Sequence, residues 1–213
     1  MIVIGYPGIG KSTAAKQADI MIDLESSVFN CTNNQTKLDD WYKYYCNIAI
    51  DISNQNKIVF VSSHKAVIDY LIQTAKHDIM IVLPSLSLHD IWINKLYDRF
   101  LTDNSAKNYA AYKRAATMYF KDISYMIDVI KSNNIRYYCI VSENYNLAQI
   151  VYRNIEEKPQ DSSVVDIVTY NKVCGNCAHF IGLGDFNLCC KLHSGLYYNC
   201  DQSCKDYQFK HDI

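Results

Sequence analysis

Nine residues near the start of the chain, GYPGIGKST (5–13), have the types and spacing needed to hold phosphate. Gly5, Gly10, Lys11 and Ser12 match the P-loop pattern G-x-x-x-x-G-K-[ST], in which glycines let backbone N–H groups turn inward around an anion. The lysine would reach the β- and γ-phosphates of ATP, and the serine hydroxyl would ligate Mg²⁺. Because an apolar run precedes the match and a helix-like segment follows it, we prefer this interpretation to a chance glycine turn. The expected nucleotide-binding residues are Gly5, Gly8, Ile9, Gly10, Lys11, Ser12 and Thr13.

Two acidic residues, Asp23 and Glu25, come at the end of the next apolar run, DIMIDLES (19–26). A carboxylate there can orient or deprotonate an acceptor hydroxyl during phosphate transfer. Strand side chains alternate between faces, so both acids reach one cleft only if the chain turns directly after the strand. The alternative is that Asp23 caps a turn and Glu25 is solvated. If the acceptor is itself a phosphate, the two acids would instead adjust the binding of the metal ion or bind a sugar hydroxyl of the substrate.

Arginines are scarce, and two of the four, Arg99 and Arg114, flank the segment LTDNSAKNYAAYK (101–113). Arginines on a mobile helical lid commonly clamp a transferred phosphate, so we predict catalytic roles for both beside Lys11, Asp23 and Glu25. The competing interpretation is a solvated helix face. Further candidates are Lys95, Lys107 and Lys113 for phosphate, His64 for substrate, and Trp41, Tyr44 and Tyr45 either for nucleobase stacking or for the core.

The C-terminal part of the chain has the cysteine spacing of a metal site: six of the nine cysteines follow residue 173. In a cytosolic protein, clustered cysteines favour metal over disulfides, and Zn²⁺ would supply the stability that about forty residues lack. The predicted zinc ligands are Cys174, Cys177, Cys190 and Cys204, with Cys189 and Cys200 as substitutes and His179 and His193 as further candidates. The segment CGNCAHF (174–180) is also similar to modules of the C-x-N-C-x-H-F kind, some of which hold an iron–sulfur cluster. We prefer a purely structural zinc site; the alternative is that the aromatic, near-neutral module forms a docking or dimer surface.

Apolar, β-branched runs alternate with helical patterns up to residue 155, which predicts an α/β fold with a five-stranded parallel sheet. Ligands bind such sheets at the carboxyl ends of the strands, where the motifs above lie. We expect two domains joined by a linker: an α/β domain over 1–155, the linker over 156–170 and the zinc module over 171–213. The predicted strands are MIVIG, DIMIDLES, KIVFVSSH, DIMIVLPS and IRYYCIVSE; the predicted helices are KSTAAKQA, KLDDWYKYYCNIAIDIS, KAVIDYLIQTA, 88–132 with a break near TDNSA, and YNLAQIVYRNI.

The P-loop, the acid-ended second strand and the basic pair Lys95 and Arg99 after the fourth strand resemble the adenylate-kinase-like P-loop kinases. Within that group, residues 1–155 are most similar to the small deoxynucleoside monophosphate kinases of bacteriophages. The resemblance implies a three-layer fold and transfer of the ATP γ-phosphate, with Mg²⁺, to a nucleotide or another small metabolite. It carries Lys11 and Ser12 over as functional residues, and also Arg99 and Arg114. The chain has SSH after the third strand where that group usually has Asp-Gly.

Composition limits the classes of partner. The net charge of -1 gives no electrostatic attraction to a nucleic acid polymer, so none is expected as a partner. No apolar run approaches the roughly 18–20 residues that span a bilayer, and no signal peptide precedes the P-loop, so a cytoplasmic protein without membrane contact is expected. No apolar run ends in the Asp-Glu pair of motor-type ATPases, which favours a small kinase.

Three functions remain open at this point. The first is a Mg-ATP-dependent kinase of a (deoxy)nucleoside monophosphate, and the second is a kinase of a hydroxyl, on a nucleoside or a polynucleotide 5′ end. The third is a nucleotide-regulated binding module in which the P-loop is a switch and the zinc module holds a partner. The acids of DLES favour a hydroxyl acceptor, whereas the net charge disfavours a polymer.

Overall fold

The computed structural model describes residues 1–29, 39–74, 78–156, 180–183 and 187–190. Five strands form one parallel sheet: β1 Ile2–Gly5, β2 Met21–Asp23, β3 Ile58–Ser62, β4 Ile79–Pro84 and β5 Arg136–Ile140. Their order across the sheet is β2–β3–β1–β4–β5. The predicted α/β class with a five-stranded parallel sheet is confirmed, and this sheet is compatible with a P-loop α/β fold.

Within the described ranges, six helices connect and follow these strands: α1 Lys11–Ala15, α2 Trp41–Asn54, α3 Lys65–Thr74, α4 His89–Thr102, α5 Ala106–Asn133 and α6 Leu147–Glu156. The predicted break near TDNSA separates α4 from α5. Ser105 caps the start of α5 by accepting a hydrogen bond from the Asn108 N–H, and Asn134 ends that helix in the left-handed conformation.

The central strands are buried along nearly their whole length, which requires cover on both faces of the sheet. From β1 to β2 the chain crosses the sheet in one direction, and its next three crossovers run the other way. Right-handed connections therefore place α1 on one face and α2 to α5 on the other. The contacts agree, since α1 packs with α6, α2 with α3, and α4 with α5.

Helix α1 is shorter than the predicted segment KSTAAKQA, because it ends at Ala15. Lys16 and Gln17, the next residues, are exposed, so burial gives little reason for the helix to continue through them. The chain must also reach Met21, which starts β2 opposite Ile58 of β3. Helix α1, which follows the P-loop, is therefore joined to β2 by only a few residues.

The C-terminal region is described only at β6 Phe180–Leu183 and β7 Asn187–Cys190, which pair antiparallel. Helix α6 extends to Glu156, the first residue of the predicted linker. The remaining linker residues lie outside the described ranges, as do Cys174, Cys177, His179, His193, Cys200 and Cys204. Within those ranges, no three His, Cys, Asp or Glu side chains form a metal-binding group. No helix there has the length and apolarity to cross a membrane.

Candidate functional site

The loop after β1 has the backbone of a phosphate-binding turn. Gly8 and Gly10 have φ angles of 85° and 87°, a region that side-chain-bearing residues rarely adopt. Gly5 is also restricted, because a Cβ there would lie 2.2 Å from Ile9 Cδ1. The loop curls back on itself, so that Lys11 Nζ donates a hydrogen bond to the Gly5 carbonyl at 3.0 Å.

Helix α4 packs against this loop. Trp92, which is buried, donates from Nε1 to the Pro7 carbonyl at 2.8 Å. A Cβ on Gly8 would lie 3.0 Å from Leu96 Cδ2, so the loop packs directly on the helix. The hydrogen bond from the Trp92 indole and the packing of Leu96 therefore hold the loop against α4.

The end of β2 brings a carboxylate to the loop. Ser12 Oγ donates to Asp23 Oδ2 at 2.5 Å. Mg²⁺ prefers oxygen ligands and usually keeps several waters, with one or two carboxylates and substrate phosphates completing its shell. A hydroxyl and a carboxylate oxygen in contact fit such an ion, so Asp23 joins Ser12 as a residue that can hold it.

Tyr45 of α2 ties the ends of β2 and β3 together. Its hydroxyl donates to the Leu24 carbonyl at 2.8 Å and accepts from the Ser62 N–H at 2.8 Å. Burial raises the pKa of this phenol, so it remains a donor. Tyr45 is thus a core residue that positions the strand ends, and Trp41 is also buried, whereas Tyr44 is exposed.

The chain turns directly after β2, which was the condition for both acids to reach one cleft. Glu25 caps a 3₁₀ turn, Ser26–Val28, by accepting from the Ser27 N–H at 3.3 Å. Its second oxygen is paired with Lys107 at the start of α5. Burial alone would raise the pKa of Glu25, but Lys107 and the Ser27 N–H outweigh burial and lower it. The Glu25–Lys107 pair links the sheet edge to the α4–α5 hairpin.

Charged side chains of both signs surround Lys11. Burial lowers the pKa of Lys11 to about 8, opposed by Asp23 and Glu25 and assisted by the nearby charges of Lys107 and Arg99. These four side chains were all candidates from the sequence. They are therefore close enough to Lys11 to change its pKa. An anion bound here would favour the charged form of the lysine.

Arg114 lies beyond the end of β3 and is already engaged. Its Nε donates to Asp122 Oδ2 at 2.6 Å, and its Nη2 donates to the Ser63 carbonyl at 3.0 Å. His64 follows on the same loop, where its Nδ1 lies 3.0 Å from Ser62 Oγ. This histidine is therefore hydrogen-bonded at the end of β3.

These elements enclose one cleft of about 780 Å³, a size typical of small-molecule sites. Lys95 occupies one end, where Nζ lies 3.2 Å from Tyr145 Oη and faces the Trp92 and Tyr145 rings. Those two rings are stacked, with centroids 6.3 Å apart. Burial lowers the pKa of Lys95, with Glu143 acting in the opposite direction.

The predicted residues that line this cleft are Gly8, Ile9, Gly10, Lys11, Ser12, Thr13, Asp23, Glu25, Arg99 and Arg114, with His64, Lys95 and Lys107 beside them. Lys113 is not part of the lining. The sequence interpretation missed Tyr145 and Asn146, which also line the cleft. They follow β5, and the rule that ligands bind at the carboxyl ends of parallel strands, applied to this last strand, would have found them.

No protein-family model matches the chain, and no curated protein matches it. The residues of the cleft are therefore the basis for a functional proposal.

Proposed function

We propose that the chain is a phosphotransferase that moves the γ-phosphate of Mg²⁺-bound ATP to a small acceptor. The observation that carries this proposal is the convergence in one cleft of the P-loop, a carboxylate on the Ser12 hydroxyl, and the cations of α4 and α5. Phosphate transfer requires little covalent chemistry from a protein, so positioning and charge neutralisation are its main contributions. The residues around Lys11 support both the positioning of the phosphates and the neutralisation of their charge.

Each group has a role in this proposal. The N–H groups of the loop and Lys11 hold the β- and γ-phosphates, and the oxygens of Ser12 and Asp23 would hold Mg²⁺. When bound, Mg²⁺ neutralises charge on those phosphates. Arg99 and Lys107, whose charges already act on Lys11, stabilise the negative charge of the phosphate during its transfer.

The two ends of the cleft differ in chemistry, which separates the donor from the acceptor. The end of the cleft at Lys95 and Tyr145 presents the aromatic ring of Tyr145, and a nucleobase stacks readily on such a ring. We place the nucleoside part of ATP there and the acceptor at the ends of β2 and β3.

The proposal is tested by measuring MgATP binding and ADP formation, with and without a panel of small acceptors, in the wild type and in Lys11→Ala. We expect Lys11→Ala to lower acceptor-dependent turnover by at least about 100-fold, the cost of removing one preorganised cationic or hydrogen-bonding group. Lys16→Ala is the matched control, because Lys16 is exposed and outside the cleft.

Two results would contradict the proposal. Failure to bind MgATP would remove its premise. Tight binding without any acceptor-dependent turnover would instead favour the nucleotide-regulated binding module.

A further inference from the structure

We propose that Lys107 changes partner during the reaction cycle: it pairs with Glu25 when the cleft holds no γ-phosphate, and it moves to the γ-phosphate when ATP binds. The Glu25–Lys107 pair is then an autoinhibitory contact, which ATP breaks and which forms again when only ADP remains. This inference rests on the proposed phosphotransferase function and adds a control on its nucleotide affinity.

The pair joins two sides of the cleft. Glu25 follows β2, Lys107 lies in the first turn of α5, and both side chains line the cleft. One oxygen of the Glu25 carboxylate accepts from Lys107 Nζ, and the other accepts from the Ser27 N–H at 3.3 Å. Because Ser27 belongs to the 3₁₀ turn directly after β2, the carboxylate is held at the strand end. Lys107 therefore already has a carboxylate partner inside the cleft, where phosphate transfer requires a cation.

Lys107 is also close to the expected position of the γ-phosphate. Its charge contributes to lowering the pKa of Lys11, the residue that holds the β- and γ-phosphates in the proposed function. The pair lies at the end of β2, which is the acceptor side of Lys11, so the γ-phosphate is the phosphate group nearest to it. A lysine ammonium lies at the end of a flexible four-carbon stem. Its Nζ can therefore pass from Glu25 to the phosphate while α5 stays in place.

The γ-phosphate is a stronger partner for Lys107 than Glu25 is. A terminal phosphate carries about two negative charges and has three acceptor oxygens, whereas a carboxylate carries one charge on two oxygens. The phosphate is also held by Lys11 and the loop N–H groups. ADP lacks this group, because its terminal β-phosphate is the one held by the loop. Glu25 therefore regains Lys107 after transfer, which weakens the hold on the phosphorylated product and favours its release.

Arg99 provides a comparison within the same cleft. It is exposed, it lines the cleft, and its charge also acts on Lys11. Among the described residues, no carboxylate forms an ion pair with Arg99. Arg99 can therefore meet an incoming phosphate without breaking an existing pair, whereas Lys107 must first leave Glu25.

The test measures the dissociation constants of MgATP and MgADP by calorimetry for the full-length wild type and Glu25→Gln. Glutamine keeps an oxygen for the Ser27 N–H and removes the charge that holds Lys107. The side chains of Lys107 and Glu25 are 47% and 34% exposed, so the pair is a weak one, and we expect Glu25→Gln to bind MgATP about two- to five-fold more tightly. The affinity for MgADP should change by less than about two-fold, because ADP leaves the pair intact.

Two further backgrounds separate release of Lys107 from the mere removal of a negative charge. In Lys107→Met the pair is already lost, so adding Glu25→Gln should tighten MgATP binding less than it does in the wild type. Arg99→Met is the matched control: it removes a cation from the cleft and leaves the pair, so Glu25→Gln should have its full effect there. Equal effects of Glu25→Gln in Lys107→Met and in the wild type would overturn the proposal.

Other results would also overturn it. Unchanged or weaker MgATP binding by Glu25→Gln would show that Glu25 does not withhold Lys107 from the nucleotide, and equal tightening for MgATP and MgADP would show that the γ-phosphate is not what breaks the pair. These outcomes leave the phosphotransferase proposal intact, because it is decided by turnover. Absence of MgATP binding in every variant would remove the premise of both proposals. Should Glu25→Gln fail to fold, Glu25→Ser takes its place, because a serine hydroxyl can also accept from the Ser27 N–H.

Discussion

The hydroxyl of Tyr45 provides the sharpest test of how the strand ends are held. Replacing Tyr45 with Phe keeps the buried ring and removes both hydrogen bonds, one from the Ser62 N–H and one to the Leu24 carbonyl. A buried polar group that loses its partner costs about 1–3 kcal/mol. Both backbone groups here are only partly buried, and water can replace part of the loss, so we expect about 1–2 kcal/mol in total.

Thermal and chemical unfolding measure this change directly. For a chain of this length, the expected loss lowers Tm by roughly 2–8 °C, with no change in the denaturant m-value. The adjacent Tyr44→Phe is the matched control: Tyr44 is 69% exposed, so its variant should stay within about 0.5 kcal/mol of wild type. If Tyr45→Phe is no less stable than Tyr44→Phe, then Tyr45 does not link β2 to β3.

Three further predictions concern the loop and the metal module. Gly8→Ala should lower the free energy of unfolding by about 1–3 kcal/mol, because its φ of 85° disfavours a side chain, and urea titration measures the loss. Relative to Lys11→Met, the wild type should gain stability as pH rises from about 8 to 10.5, because the unfolded chain keeps the Lys11 proton over that range and the folded chain has released it; urea unfolding at a series of pH values measures the difference. Elemental analysis should find about one zinc per chain, lost when Cys174 and Cys177 are both changed to Ser.

Each of these predictions has an outcome that contradicts it. Unchanged stability of Gly8→Ala would mean that the loop adopts another backbone conformation. Parallel pH profiles for wild type and Lys11→Met would show that Lys11 titrates normally, since all other lysines and tyrosines are common to both proteins. Iron in place of zinc, with visible absorption, would indicate a cluster.

The central strands β1, β3 and β4 could be predicted because they are apolar on both faces. Val3, Ile4, Val59 and Val61 lie in short β-branched runs that no amphipathic helix would contain, and the turn residues between runs mark the ends. The break between α4 and α5 was also predictable, because Ser105 is a good cap and Asp103 disfavours a helix interior.

The site was less predictable, because its contacts depend on side chains far apart in the chain. The phosphate loop is recognisable from local glycine spacing, but the pairing of Glu25 with Lys107 joins residues 82 positions apart. The sequence marks both as charged and gives no means to pair them. Tyr45 illustrates the same limit: helical periodicity places it in the core, and only the fold shows that its hydroxyl meets two strand ends.

The length of α5 has a mechanical consequence for the cleft. The helix has 28 residues, and Tyr119 anchors it through a hydrogen bond from its hydroxyl to the Ser85 carbonyl. Lys107 lies 12 residues before Tyr119, which at 1.5 Å per residue is about 18 Å along the axis. A tilt of about 10° at Tyr119 therefore moves Lys107 by about 3 Å, enough to separate it from Glu25. Arg114, which lies between Tyr119 and Lys107, ties the same helix to the Ser63 carbonyl, so α5 holds Lys107 at the rim of the cleft and resists such a tilt.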